Sequence, residues 1–231
     1  MREIRRGVSV TALGTAIVDI RRILLAWGKE HYKDYPWRTP DQLWHGLVAE
    51  ILLQRTKAKN VVPVYATFIH RFPTLESLAQ TSVEDIKAII YPLGLRWRAP
   101  LLKKLGESLV EMHGEVPRSY EKLLELPGVG VYVASAWLAF HGEGKSIIID
   151  ANVVRWLCRI VDKPMDGETR RKKWLIELAE QLTPGDNCKE YNYAVLDFSM
   201  EVCTSIPKCL ECPLGAGFCL YRRKNVSAKG E

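Results

Sequence analysis

Two stretches of the chain carry residues whose types and spacing can do chemistry. In "CTSIPKCLECPLGAGFC", Cys203, Cys209, Cys212 and Cys219 are separated by five, two and six residues. In a reducing compartment such a group reads as a metal site rather than a disulfide framework. Four thiolates can enclose a [4Fe-4S] cluster or one zinc ion. The second stretch is "LPGVGVYVASAW", residues 126–137, in which Pro127, Gly128 and Gly130 precede an apolar run of helical character. Pro127 disfavours helical geometry at Leu126, and the glycines permit positive φ and close backbone approach. The first amides of a helix have no intrahelical acceptor and stand at the positive end of its dipole. A helix starting just after Gly130 therefore offers, with the glycine amides, a seat for an anion such as phosphate. An ordinary helical hairpin, with glycines that only let two helices pack closely, accounts for the same residues.

Two carboxylates add to these. Asp150, in "IIIDANVVRW", lies between an apolar run and a helix start, where first-turn amides orient a carboxylate and favour its ionised form. A plain N-cap, satisfying only the amides of the helix it opens, needs the same residue, and both roles can hold at once. Glu50 sits midway along the apolar segment "LVAEILL". An unpaired acid there is costly to bury, so it is either functional or bonded within the fold.

The elements that position these residues read as helices joined by turns. Ile17, Ile20, Leu24 and Trp27 fall at helical spacing, as do Leu43, Leu47 and Ile51, with Trp44 and Val48 beside them. Thr81 with Glu84 reads as a capping box, and Gly94 and Gly114 as stop signals. The β-branched "SIIIDANVV" fits a short strand or an extended approach to a helix beginning near Asp150, and the second reading is preferred. "VDKPMDGETRRKK" reads as an exposed connection, and the first dozen residues and the tail after Cys219 as loosely held.

With 231 residues and 47% hydrophobic content the chain can bury a sizeable core as one large domain or two small ones. A formal charge of +6 favours polyanionic partners without identifying one. Asp19, Arg21 and Arg22 interrupt the N-terminal apolar stretch short of signal or membrane-span length, which reads as cytoplasmic. Cys158 and Cys188 read as small buried apolar residues.

The ordered segments "YPWRTPDQLWHGLVAEILLQRT", "LPGVG" between two helices, "IIIDANVVRW" and the cysteine run to "CLYRR" together resemble the helix-hairpin-helix (HhH-GPD) DNA glycosylase superfamily with an iron–sulfur cluster. That group contains endonuclease III and the mismatch-directed adenine and thymine glycosylases, and the likeness is nearest to the thymine-removing members that act on T or U opposite G. The resemblance implies an all-α, two-lobed fold. Residues 38–145 would form a six-helix lobe with the hairpin. Residues 1–37 and 146–231 would form the second lobe, with a cluster loop at 203–219 and double-stranded DNA in the cleft between. It implies a monomeric, nucleoid-associated base-excision enzyme in which the target nucleotide leaves the stack before its glycosidic bond is reached.

Roles follow by position. Gly128, Gly130 and Val131 would grip the DNA backbone, Asp150 would stabilise positive character on the sugar, and Glu50 would face the extruded base. Endonuclease III-like members carry a lysine where this chain has Tyr132. A phenol forms no Schiff base, which implies base removal by water without strand cleavage. Tyr132 lining the pocket matches thymine-removing members; packing under the hairpin is the plainer alternative. Gln54 and Arg55, ending the same helix as Glu50, are expected to enter the gap left by the base. Leu95 and Trp97 are candidate wedges, although a core role suits Trp97 equally. Arg96, Arg98, Lys103 and Lys104 would touch phosphate or form a solvated face, and Lys208 would reach DNA. The family's usual cysteine spacing is six, two and five, so this cluster loop departs from it by one residue on each side of the middle pair. Adenine removal opposite 8-oxoguanine or G is the enzymatic rival. Its members carry a further C-terminal domain, whereas this chain stops soon after Cys219. A noncatalytic hairpin module that only binds DNA is the rival of another class.

Overall fold

The stripe of Ile20, Leu24 and Trp27 forms the buried face of α1 (Ala16–Glu30). The computed structural model describes residue 14, residues 16–94 and residues 96–225. All regular elements among them are helical, and the chain divides into two compact units. "SIIIDANVV" enters its helix as extended chain and pairs with no strand among the described residues.

One unit is Asp34–Glu143. It contains α2 (Leu43–Leu53), α3 (Ala58–Arg71), α4 (Leu75–Gln80), α5 (Val83–Ile90), α6 (Ala99–Glu111), α7 (Tyr120–Leu124) and α8 (Val131–His141). Helix α2 is apolar almost all round and is buried from Trp44 to Leu52, as a helix at the centre of a core must be. Gly46 lets α8 approach it: a Cβ there would stand 2.7 Å from the His141 ring. The cap of α5 differs from expectation. Ser82, not Thr81, accepts from the Asp85 amide at 3.0 Å, while Thr81 closes α4. Capping needs extended backbone at the cap residue and an amide three positions on, and Ser82 meets both conditions.

The other unit joins Met1–Lys33 to Gly144–Glu231. Its helices after α1 are α9 (Ala151–Ile160), α10 (Lys173–Leu182), α11 (Cys188–Glu201), α12 (Gly215–Phe218) and α13 (Leu220–Asn225). Helices α1 and α11 touch at Gly28, where a Cβ would fall 2.4 Å from that of Ala194. Two expectations change here. The tail after Cys219 is held through Asn225, with Arg222 donating to the Cys212 carbonyl and Lys224 pairing with Asp162. The connection after Val161 is ordered around Asp166, which accepts from Thr169, Glu168 and Lys172. The first dozen residues lie outside the described residues. No described helix is long and apolar enough to cross a membrane.

Candidate functional site

The hairpin is built as its residues dictate, but its glycines serve different ends. Gly128 adopts φ +79°, in the left-handed region, and a Cβ there would lie 3.3 Å from both Ile51 and Leu101. Gly130 has ordinary extended backbone (φ −94°, ψ −179°), and a Cβ would meet nothing within 4 Å. Neither conformation nor internal packing requires glycine at 130. Gly130 caps α8 without a side chain, leaving the first-turn amides uncapped, and Val131 beside them is 66% exposed. Tyr132 is half-buried against the core of its unit.

Beneath the hairpin lies the end of α2. Glu50 is 3% exposed on this helix, one residue before the Ile51 side chain that underlies Gly128. Gln54 and Arg55 do not end the helix; they form the turn after it. Gln54 is the C-cap, and exposed Arg55 stands at φ +57°, a conformation that costs a non-glycine residue on the order of 1 kcal/mol. Arg98 is likewise not on a solvated face. It is 1% exposed, and its guanidinium donates to the carbonyls of Ile51 at 2.7 Å and Gln54 at 2.9 Å. Burial, and then the charge of Arg55, lower it to about 10. Lys103 also turns inward, donating to Ala79 and Thr81 carbonyls, whereas Lys104 is exposed. Trp97 is 60% exposed, which removes the core reading, and Arg96 stacks over exposed Tyr91. Leu95 lies outside the described residues.

In the other unit Asp150 caps α9. Its Oδ1 accepts from the Val153 amide at 2.7 Å, and its Oδ2 accepts from the Asn152 side-chain amide at 2.8 Å. Asn152 in turn accepts from Arg155, which also donates to the carbonyls of Ser199 and Cys203 at 2.8 and 2.9 Å. A continuous chain of hydrogen bonds therefore runs from the Asp150 carboxylate to the backbone of the first clustered cysteine. Arg159, one turn further along α9, donates to the Cys203 sulfur and to the Thr204 and Ser205 carbonyls, and its own carbonyl accepts from the Cys219 thiol at 3.6 Å. Sequence reasoning missed Asn152, Arg155 and Arg159; the i, i+3 and i+4 spacing within "NVVRWLCR" was the available signal.

Cys203, Cys209, Cys212 and Cys219 line one recess of about 350 Å³, counting space open to solvent, with Arg159 and Arg222 at its wall. Burial raises the thiols of Cys203, Cys212 and Cys219, the last to about 11. Thiols in such surroundings ionise when a bound cation or cluster supplies the compensating charge, so the donor set fits a thiolate-ligated group. Among the described residues no set of three or more His, Cys, Asp or Glu side chains is placed to hold a metal ion. Lys208 is half exposed and lies 4.0 Å from Glu211. Cys158 and Cys188 are buried as expected, with Ser146 and Cys188 exchanging hydrogen bonds.

The model of the HhH-GPD superfamily of base excision DNA repair proteins matches residues 48–184, which include Glu50, the hairpin and Asp150. A Pyrobaculum aerophilum protein called thymine/uracil-DNA glycosylase is 40% identical over 96% of both chains. A thymine-DNA glycosylase of Aeropyrum pernix is 36% identical over 89% of this chain and 95% of its own length. The solved structure of a thermostable thymine-DNA glycosylase superposes with a TM-score of 0.81 at 31% identity, covering 92% of this chain and 99% of the other. Both the sequence match across the site and the all-helical architecture place this chain in the HhH-GPD superfamily of base excision DNA repair proteins.

Proposed function

We propose that this protein is a DNA N-glycosylase that removes thymine or uracil mispaired with guanine, by hydrolysis and without cutting the strand. The observation that carries the reading is the Asp150 carboxylate, half exposed at the start of α9 and held by the Val153 amide and the Asn152 side chain. Similarity to thymine/uracil glycosylases along nearly the whole chain supports the substrate, while relatives called adenine DNA glycosylases stand further off.

In the proposed reaction the bond between sugar C1′ and the base nitrogen breaks, and its electron pair leaves with the base. Positive character then builds on the deoxyribose, where the fixed charge of Asp150 stabilises the transition state more than the ground state. Water adds its oxygen to C1′ and gives up one proton, and the departing base takes one up. Glu50, buried in α2, serves this proton movement or orients the base, and Tyr132 lines the base pocket. Because position 132 holds a phenol rather than an amine, no covalent imine forms and the product is an intact strand with an abasic site. Gly128, Gly130, Val131 and the uncapped amides of α8 seat a backbone phosphate. The Gln54–Arg55 turn, Trp97 and Leu95 occupy the opened stack, and Lys208 meets phosphate. Cys203, Cys209, Cys212 and Cys219 would hold a [4Fe-4S] cluster, which would supply no reacting atom and would tie down the loop that Arg155 and Arg159 grip.

Labelled duplexes carrying T/G, U/G and A/8-oxoguanine pairs test this, with alkali treatment to reveal abasic sites. Alkali-dependent cleavage of T/G and U/G duplexes is expected. Preferential cleavage of A/8-oxoguanine would transfer the assignment to adenine removal, and cleavage of none would leave a DNA-binding module. Strand scission without alkali, or borohydride trapping, would contradict the role given to Tyr132.

A further inference from the structure

We propose that Arg98 is a positioning residue that locks the Gln54–Arg55 turn, Trp97 and the glycine hairpin into one rigid DNA-probing edge. The inference rests on the glycosylase reading for its functional consequence but on geometry for its structural content. Arg98 follows Trp97 directly and reaches 47 and 44 residues back along the chain, to the carbonyls of Ile51 and Gln54. Both carbonyls lie at the C-terminus of α2, where the negative end of the helix dipole favours a cation. The Ile51 side chain lies under Gly128, as does Leu101, three residues beyond Arg98. The guanidinium therefore ties two segments far apart in sequence, and side chains from both of them, Ile51 and Leu101, underlie the hairpin.

The arrangement carries a cost beside those two hydrogen bonds. Arg98 is buried, its Nε has no hydrogen-bond partner, and no carboxylate pairs with it among the described residues. The nearby charge of Arg55 opposes it, and Arg55 itself holds a left-handed backbone that favours glycine. Departures from local rules that gather at one place mark a functional constraint. Here an exposed Arg55 on a strained turn stands over a buried Arg98, with no carboxylate among the described residues paired to either. Such a set is complemented by a polyanion, and the buried member holds the exposed one in place. A lysine at 98 retains the charge but offers a point donor instead of a fork spanning two carbonyls.

Amide hydrogen exchange and steady-state kinetics on wild type and Arg98→Lys test the proposal. Exchange at Gln54, Arg55 and Thr56 is expected to rise about tenfold, the equivalent of losing one charged hydrogen bond. KM for a T/G duplex is expected to rise by a similar factor while kcat stays within about threefold, since the chemistry at Asp150 is untouched. Arg98→Met should move both further, and if it fails to fold, Arg98→Lys decides. Unchanged exchange in Arg98→Lys would overturn the positioning role, as would a loss confined to kcat. Should wild type excise neither thymine nor uracil, the functional reading falls, and exchange in the turn still decides what Arg98 does.

Discussion

Replacing Asp150 with Asn separates the two jobs this residue holds. As an N-cap, Asn is about as good as Asp, and its Oδ1 can still accept from the Val153 amide now received at 2.7 Å. The loss is at Oδ2, where an amide nitrogen would oppose the Asn152 nitrogen that now donates at 2.8 Å. One net hydrogen bond at a half-exposed site is worth about 1 kcal/mol, or about 2–4 °C in Tm for a chain of this length. The chemical cost is of another size. A full charge about 4 Å from the developing cation contributes about 4 kcal/mol at an effective dielectric of 20, roughly a thousandfold in rate. Thermal melts and single-turnover excision from a T/G duplex should therefore show a small shift in Tm beside a loss of about three orders of magnitude, with duplex affinity retained. Excision within about tenfold of wild type would refute the electrostatic role. A melt lowered by more than about 10 °C would show that the cap and its hydrogen-bond chain, rather than the charge, dominate this position.

Further outcomes follow from the same geometry. Gly128→Ala should destabilise the protein by about 1–2 kcal/mol, because it imposes a left-handed backbone on alanine, and a melt measures it. Gly130→Ala should leave the melt unchanged, since its backbone is extended and its Cβ meets open space, yet weaken duplex binding in fluorescence anisotropy. In Cys212→Ser the iron content of purified protein should fall, and loosening of the loop held by Arg155 and Arg159 should lower excision without changing the Asp150 side chain. Hydrogen bonds from Lys172, and then from Thr169, hold the Asp166 carboxyl down at about 2. Its folded value is depressed, so its stabilisation is present above about pH 4 and lost as pH falls through 2. The Tm difference between wild type and Asp166→Asn should be constant near neutrality and vanish at the acid end.

Much of the site was legible in sequence because the signals were local. A glycine at positive φ, a proline that ends a helix, an aspartate that opens one and four thiols within seventeen residues are each fixed by covalent geometry or by partners a few positions away. The helical stripes were legible for the same reason: burial of one face imposes a period, and Ile20, Leu24 and Trp27 follow it. Even the misplaced cap at Thr81 missed by a single residue, since Thr81 and Ser82 are both hydroxyl residues with an acid three positions on.

What tertiary structure alone decided was the assignment of the arginines and lysines. Arg96, Arg98 and Lys103 look equivalent in a basic run, but a long flexible side chain takes whichever acceptor the fold brings near. One stacks on Tyr91, one disappears beneath α2, and one satisfies carbonyls at the end of α4. Arg155 and Arg159 likewise find backbone carbonyls 44 to 48 residues away, and those acceptors carry no side-chain identity by which sequence could announce them. Residue type set which groups were available for chemistry, and the packing of helices set which of them were free to meet DNA and which were spent holding the others still.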